Sequence, residues 1–119
     1  MQKISTTDEG TILRIVGDFD MSSYTDLIVT FTNPNDGTTF VKSFLAGAKI
    51  TLGTVEVVDT NVNETLAANT YVEYLIETPF PFEVGYPWKA LLTYENTTAN
   101  PDIRTSGKTT GRFKVCVGG

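Results

Sequence analysis

Three carboxylates, Asp18, Asp20 and Asp26, stand within nine positions of one another in a Ser- and Asp-rich segment, and oxygen-rich loops of this kind can hold Ca²⁺. The segment departs from the EF-hand pattern. Counted from Asp18, Ser23 falls at the sixth position, where glycine makes the turn, and Val29 at the twelfth, where a bidentate glutamate belongs. Aspartates capping their own turns are the competing expectation, so these three are weak metal candidates and no cofactor is expected. Glycoside hydrolysis needs one carboxyl with a raised pKa facing an ionised partner, and none of the 14 acidic residues is marked by its neighbours as such a pair. The chain has no histidine and a single cysteine, so the donors for proton relays, nucleophilic triads and zinc sites are missing or nearly so. A non-enzymatic protein is expected. Cys116, set between Val115 and Val117, reads as a packing thiol.

Thr78-Pro79-Phe80-Pro81-Phe82-Glu83-Val84-Gly85-Tyr86-Pro87 gathers three aromatic rings and three prolines in one connection. Proline fixes φ and stiffens such a segment, and the rings give it something to bind with. Pro79, Phe80, Pro81, Phe82 and Tyr86 are therefore the candidate interface residues, for anchoring a protein partner or for stacking on a sugar. The alternative is that Phe80 and Phe82 turn inward and plug the open end of the fold.

A chain of 119 residues matches one domain and buries about two-thirds of its unfolded surface without a metal or disulfide scaffold. A composition of 40% hydrophobic and 19% charged residues is globular. No apolar run approaches the roughly 20 residues of a membrane span, so no membrane partner is expected. The net charge of −5 argues against nucleic acid, whose ligands carry a clustered basic face; Lys108, Arg112 and Lys114 read as a solvated strand face. Met1–Glu9 lacks the apolar core of a secretory signal, which predicts synthesis and retention in a cytoplasm. On that basis the acceptor triplets Asn63-Glu64-Thr65 and Asn96-Thr97-Thr98 are set aside as chance matches.

The elements that must position the aromatic loop are strands. Thr11–Val16 is a β-branched run closed by Gly17, and Leu27, Val29 and Phe31 alternate with Ile28, Thr30 and Thr32 at a period of two. Asn33-Pro34-Asn35-Asp36-Gly37 has proline and glycine where a turn wants them and reverses the chain into Thr38–Phe44. Short strands about Gly53, a bulge or tight bend at that glycine, and a possible helical turn near Thr65–Ala68 follow. Tyr71–Glu77 alternates, and so does Pro87–Glu95, with Trp88, Ala90, Leu92 and Tyr94 on one face. A loop over Asn96–Gly107 leads to a closing strand over Thr110–Val117. Turns every eight to twelve residues predict a single antiparallel β-sandwich of seven or eight strands over residues 1–119, with residues 1–10 as an N-terminal arm.

In this order, Asp18–Leu27, Phe31–Gly37, Ala68–Tyr74, Gly85-Tyr86-Pro87-Trp88-Lys89-Ala90 and Gly111–Val115 give the chain its likeness. It resembles the small immunoglobulin-like β-sandwich domains of tailed-bacteriophage virion proteins, including the amino-terminal domain family of the baseplate protein that anchors receptor-binding proteins. The resemblance runs from about Thr11 onward and implies no catalytic residue. It implies a structural subunit of the virion, at the tail, the head–tail region or the capsid surface. The expected partners are other virion proteins and further copies of the chain. Baseplate members continue into fibre or coiled segments, whereas this sequence stops at Gly118-Gly119, as expected of a subunit that clips onto a larger particle. The rival reading is a carbohydrate-binding module whose Phe80, Phe82, Tyr86 and Trp88 stack on host-surface glycans.

Overall fold

The computed structural model describes residues 2–5, 7, 10–17, 20–59, 64–96, 102–105 and 111–116. Eleven strands occur among them, and no helix: β1 (Gln2–Ser5), β2 (Ile12–Val16), β3 (Asp26–Thr32), β4 (Thr39–Ser43), β5 (Ile50–Leu52), β6 (Val57–Asp59), β7 (Glu64–Leu66), β8 (Tyr71–Leu75), β9 (Gly85–Asn96), β10 (Asp102–Thr105) and β11 (Gly111–Cys116). The larger sheet has the order β1-β11-β9-β3-β4, with β10 paired to the far half of β9. The smaller sheet has the order β2-β8-β5, and β6 and β7 form a separate ribbon. The protein is all-β in several sheets, an arrangement compatible with a β-sandwich.

The strand count exceeds the seven or eight that turn spacing predicts, because short and atypical segments pair. The segment expected as an N-terminal arm supplies β1, which lies parallel to β11 and buries Ile4. The segment near Thr65–Ala68, open to a short helical turn, begins instead with β7, and the expected Asn96–Gly107 loop contains β10.

The alternating residues behave as their period requires. Leu27, Val29 and Phe31 of β3, Trp88, Ala90, Leu92 and Tyr94 of β9, and Phe113 and Val115 of β11 all face inward. They meet Leu13 and Ile15 of β2, Ile50 of β5, and Val72 and Tyr74 of β8 in one core, so both sheets close on the same apolar layer. Cross-strand register sets the ring contacts: Phe31 opposes Phe40 and stacks on it at 5.0 Å, and Trp88 opposes Phe113 and stacks at 6.1 Å.

The register of β9 and β11 slips where Phe113 pairs with Trp88 but Val115 pairs with Gly85. Pro87 lies in that interval. Lacking an N–H, it suits a place where the ladder is already broken.

Gly53 is neither a bulge nor a bend. The ring of Tyr71 lies on it so closely that a Cβ would stand 2.0 Å from the ring, and the Tyr71 hydroxyl donates to the Val55 carbonyl at 2.6 Å. Tyr71, Val16, Leu66 and Val57 make a second, smaller core beneath the β6–β7 ribbon. Replacing Gly53 with alanine forces this ring or the backbone to move, so Gly53→Ala should lower stability by about 1–3 kcal/mol. The check is a denaturant titration, in which an unchanged midpoint would mean that Tyr71 is not locked against Gly53.

Candidate functional site

The aromatic loop is anchored from three directions. The Trp88 indole N–H donates to the Glu83 carbonyl at 2.8 Å. The side-chain amide of Asn33, itself buried, donates to Glu83 Oε1 at 2.6 Å, and that of Asn35 donates to the Val84 carbonyl at 3.0 Å. The β3–β4 turn that carries these asparagines is closed by its own bonds. Gly37 N–H donates to the Asn33 carbonyl at 2.9 Å, Asn35 N–H to Asn33 Oδ1 at 2.8 Å, and Gly37 takes a φ of +75°. Gly85 fits against this turn because a Cβ there would stand 2.9 Å from Asn35 Oδ1 and 3.1 Å from Pro34 Cγ. The peptide bonds preceding Pro79 and Pro87 are cis.

The structure divides the five residues proposed for the interface. Phe82 is 4% exposed and lies among Phe31, Trp88 and Phe113 at ring distances of 5.0–5.2 Å, so it closes the core and is not available to a partner. Phe80 is half-buried and packs edge-on to Phe82 at 5.7 Å. Pro81 is half-buried, Pro79 is exposed and Tyr86 is 50% exposed. Val84, absent from the expected set, is 46% exposed. Val84 and Tyr86 flank Gly85, and both are exposed where the β9–β11 register slips. Trp88, a ring of the glycan reading, is 1% exposed.

Of the three aspartates, the structure describes Asp20 and Asp26, and each is engaged in a turn. Asp18 lies outside the described residues. Asp20 Oδ1 accepts the Ser22 N–H at 2.8 Å, and bonds from Ser22 hold its carboxyl below the usual range. Asp26 is buried, and its Oδ1 accepts the Leu45 N–H at 3.1 Å, capping the turn after β4. Among the described residues, no group of three or more His, Cys, Asp and Glu stands close enough to hold a metal ion. Cys116 is half-buried.

Two ionic clusters were not visible in the spacing, because each joins strands remote in sequence. Arg14 of β2 donates from Nη1 to Asp59 Oδ2 and from Nε to Glu73 Oε2, each at 3.0 Å, and so ties the β6–β7 ribbon to the smaller sheet. Asp59 is 2% exposed and would be a buried charge without that guanidinium. Burial works against the charge on Arg14, but the bond to Asp59 and the field of Glu73 outweigh it and raise its pKa.

Glu77 bridges the sheets. Its carboxylate accepts from the Tyr74 hydroxyl, from Lys42 Nζ at 2.9 Å and from Lys49 Nζ at 2.9 Å. Burial alone would raise its pKa; the Tyr74 hydroxyl and the two ammonium groups reverse this and hold it at about 2. Burial, and then the same hydrogen bond, raise the Tyr74 pKa. Beside this cluster a cleft of about 360 Å³ opens between Gly10, Gly47–Lys49 and Leu75–Thr78. Its charged groups are Lys49 and Glu77, which are paired with each other.

Compared with known proteins, the chain matches no family model, no curated protein sequence and no solved structure.

Phe82→Ala empties the centre of the ring cluster and should lower stability by about 3–5 kcal/mol. Tyr86→Ala, at an exposed site, should change it by less than about 0.5 kcal/mol, and equal losses in denaturant titrations would contradict the assignment of core and rim. Because the carboxyl of Glu77 is depressed in the folded state, its stabilisation is complete above its ordinary value of 4.5 and disappears as the pH falls through about 2. The stability gap between the wild type and Glu77→Gln should therefore narrow between these pH values, and a constant gap would show that the cluster does not hold Glu77 ionised.

Proposed function

We propose that the chain is a structural subunit of a tailed-bacteriophage virion. It is read as an immunoglobulin-like β-sandwich that carries out no reaction and attaches through its loops and strand edges. Its partners are virion proteins and further copies of itself, at the tail, the head–tail region or the capsid surface, after synthesis in the host cytoplasm. The observation that carries this reading is the anchored loop. Phe82 and the Trp88–Glu83 bond fix it to the core, while Pro79, Val84 and Tyr86 remain exposed on it, so an apolar rim is presented already ordered for a protein partner. Two segments that carry the resemblance, Phe31–Gly37 and Gly85–Ala90, also come together here, through the Asn33 and Asn35 bonds to Glu83 and Val84.

The glycan reading retains Tyr86 as its one ring at an exposed position in this loop, with Phe80 half-covered and Phe82 and Trp88 inside the core. A single ring is a small platform for a sugar.

The test is to mix purified protein with particles assembled without it and to measure co-sedimentation and position by imaging. Wild type should bind at a defined location, and the double variant Val84→Asp with Tyr86→Asp should fail to bind while keeping its fold. Wild-type protein that never associates with particles would end the virion reading. Glycan-array binding abolished by Tyr86→Ala would establish its rival.

A further inference from the structure

Among the described residues the main path of the larger sheet ends at β1 and β4, with β10 beside β9 as a further outer strand, and the smaller sheet ends at β2 and β5. Exposed edges are commonly guarded by a charge, by shortness or by a cover. β1 carries the exposed Lys3, β5 is three residues long, and Arg14 of β2 is tied to the β6–β7 ribbon. β4 differs. Its one charged residue, Lys42, is drawn to Glu77 at 2.9 Å, and Val41 is left 56% exposed.

The ladder between β3 and β4 shows which backbone groups this edge leaves open. Antiparallel residues alternate between bonding the opposite residue and turning their N–H and C=O away. Asn33 N–H donates to the Thr38 carbonyl at 2.8 Å and Phe44 N–H to the Leu27 carbonyl at 3.0 Å, which sets the phase at both ends. Phe40 and Lys42 therefore bond to β3, while Thr39, Val41 and Ser43 face outward. Ser43 is buried and its carbonyl accepts the Lys49 N–H at 3.0 Å, so among the described residues the accessible open groups belong to Thr39 and Val41.

We propose that β4 pairs antiparallel with β4 of a second copy, about a two-fold axis at Phe40, with Thr39 of each chain opposite Val41 of the other. In this register the two open N–H groups and two open C=O groups of each strand satisfy those of its partner. A two-fold at Val41 would instead require the buried Ser43. Phe40 meets its own copy at a non-hydrogen-bonded position, where strands approach most closely and aromatic pairs are favourable. Since Phe40 already stacks on Phe31, the aromatic core continues towards the interface. The contact is isologous and joins the two larger sheets into one. Strands of five residues make a small contact, so the dimer is weak in isolation and suited to copies already concentrated on an assembly.

The inference deepens the assembly reading and rests on it for its biological use, but the pairing is tested on the isolated chain. Either can therefore fail alone. Sedimentation velocity from about 1 µM to about 1 mM should show a monomer–dimer equilibrium. Amide exchange should show Thr39 and Val41 becoming protected as concentration rises. Val41→Pro deletes an outward N–H, and Val41→Lys places a charge on the edge; each should raise the dissociation constant by about tenfold or more. Near-ultraviolet dichroism of the buried Trp88 reports the fold. If Val41→Pro fails to fold, Val41→Lys and the wild-type amides decide. A chain monomeric at every concentration, a dimer indifferent to the foldable variants, or protection of Val41 only on a particle would overturn the proposal.

Discussion

Phe82 touches Phe31, Phe40, Tyr74, Phe80, Trp88 and Phe113 at ring distances of 5.0–6.2 Å, and these rings come from both sheets and from the loop that joins them. Burying that ring draws the smaller sheet onto the larger one and pulls the Pro79–Val84 segment across the end of the core. The exposure of Val84 and Tyr86 follows from it, since a loop pinned at Phe82 and at the Glu83 carbonyl has little freedom to hide its other apolar residues. The dispersion contacts and area removed from water make such a cluster the largest single source of stability in a domain of this size.

Around that centre the polar groups act as seams. Glu77 lies just beyond β8 and collects Lys42 from β4 of the larger sheet and Lys49 from the start of the smaller sheet's edge. Arg14 does the same for the β6–β7 ribbon through Asp59 and Glu73. A carboxylate shared by two ammonium groups and a hydroxyl is geometrically demanding, so these clusters contribute mainly by permitting one relative placement of the sheets. Engaging Lys42 also leaves β4 without the charge that would discourage another strand.

The strand pattern was largely legible in the residues. Leu27, Val29 and Phe31, and Trp88, Ala90, Leu92 and Tyr94, alternate so regularly that a period of two assigns both strand and inner face, and the Asn33–Gly37 turn falls where its proline and glycine place it. β1 and β10 were not legible, because polar segments such as Gln2–Ser5 and Asp102–Thr105 become strands only when a partner strand is present to pair with them. Gly53 was noticed as special, but its reason, the Tyr71 ring lying on it, is a contact between residues far apart in the chain.

By itself the sequence determined the class of fold and the stiff aromatic loop, because periodicity and turn chemistry are local properties of consecutive residues. Tertiary structure alone decided that Phe82 and Trp88 belong to the core while Val84 and Tyr86 face outward, that Asp20 and Asp26 cap turns, and that Lys42 turns to Glu77. Each of those outcomes depends on which strands become neighbours. Burial and pairing are properties of surfaces brought together in space, and chain order does not contain them.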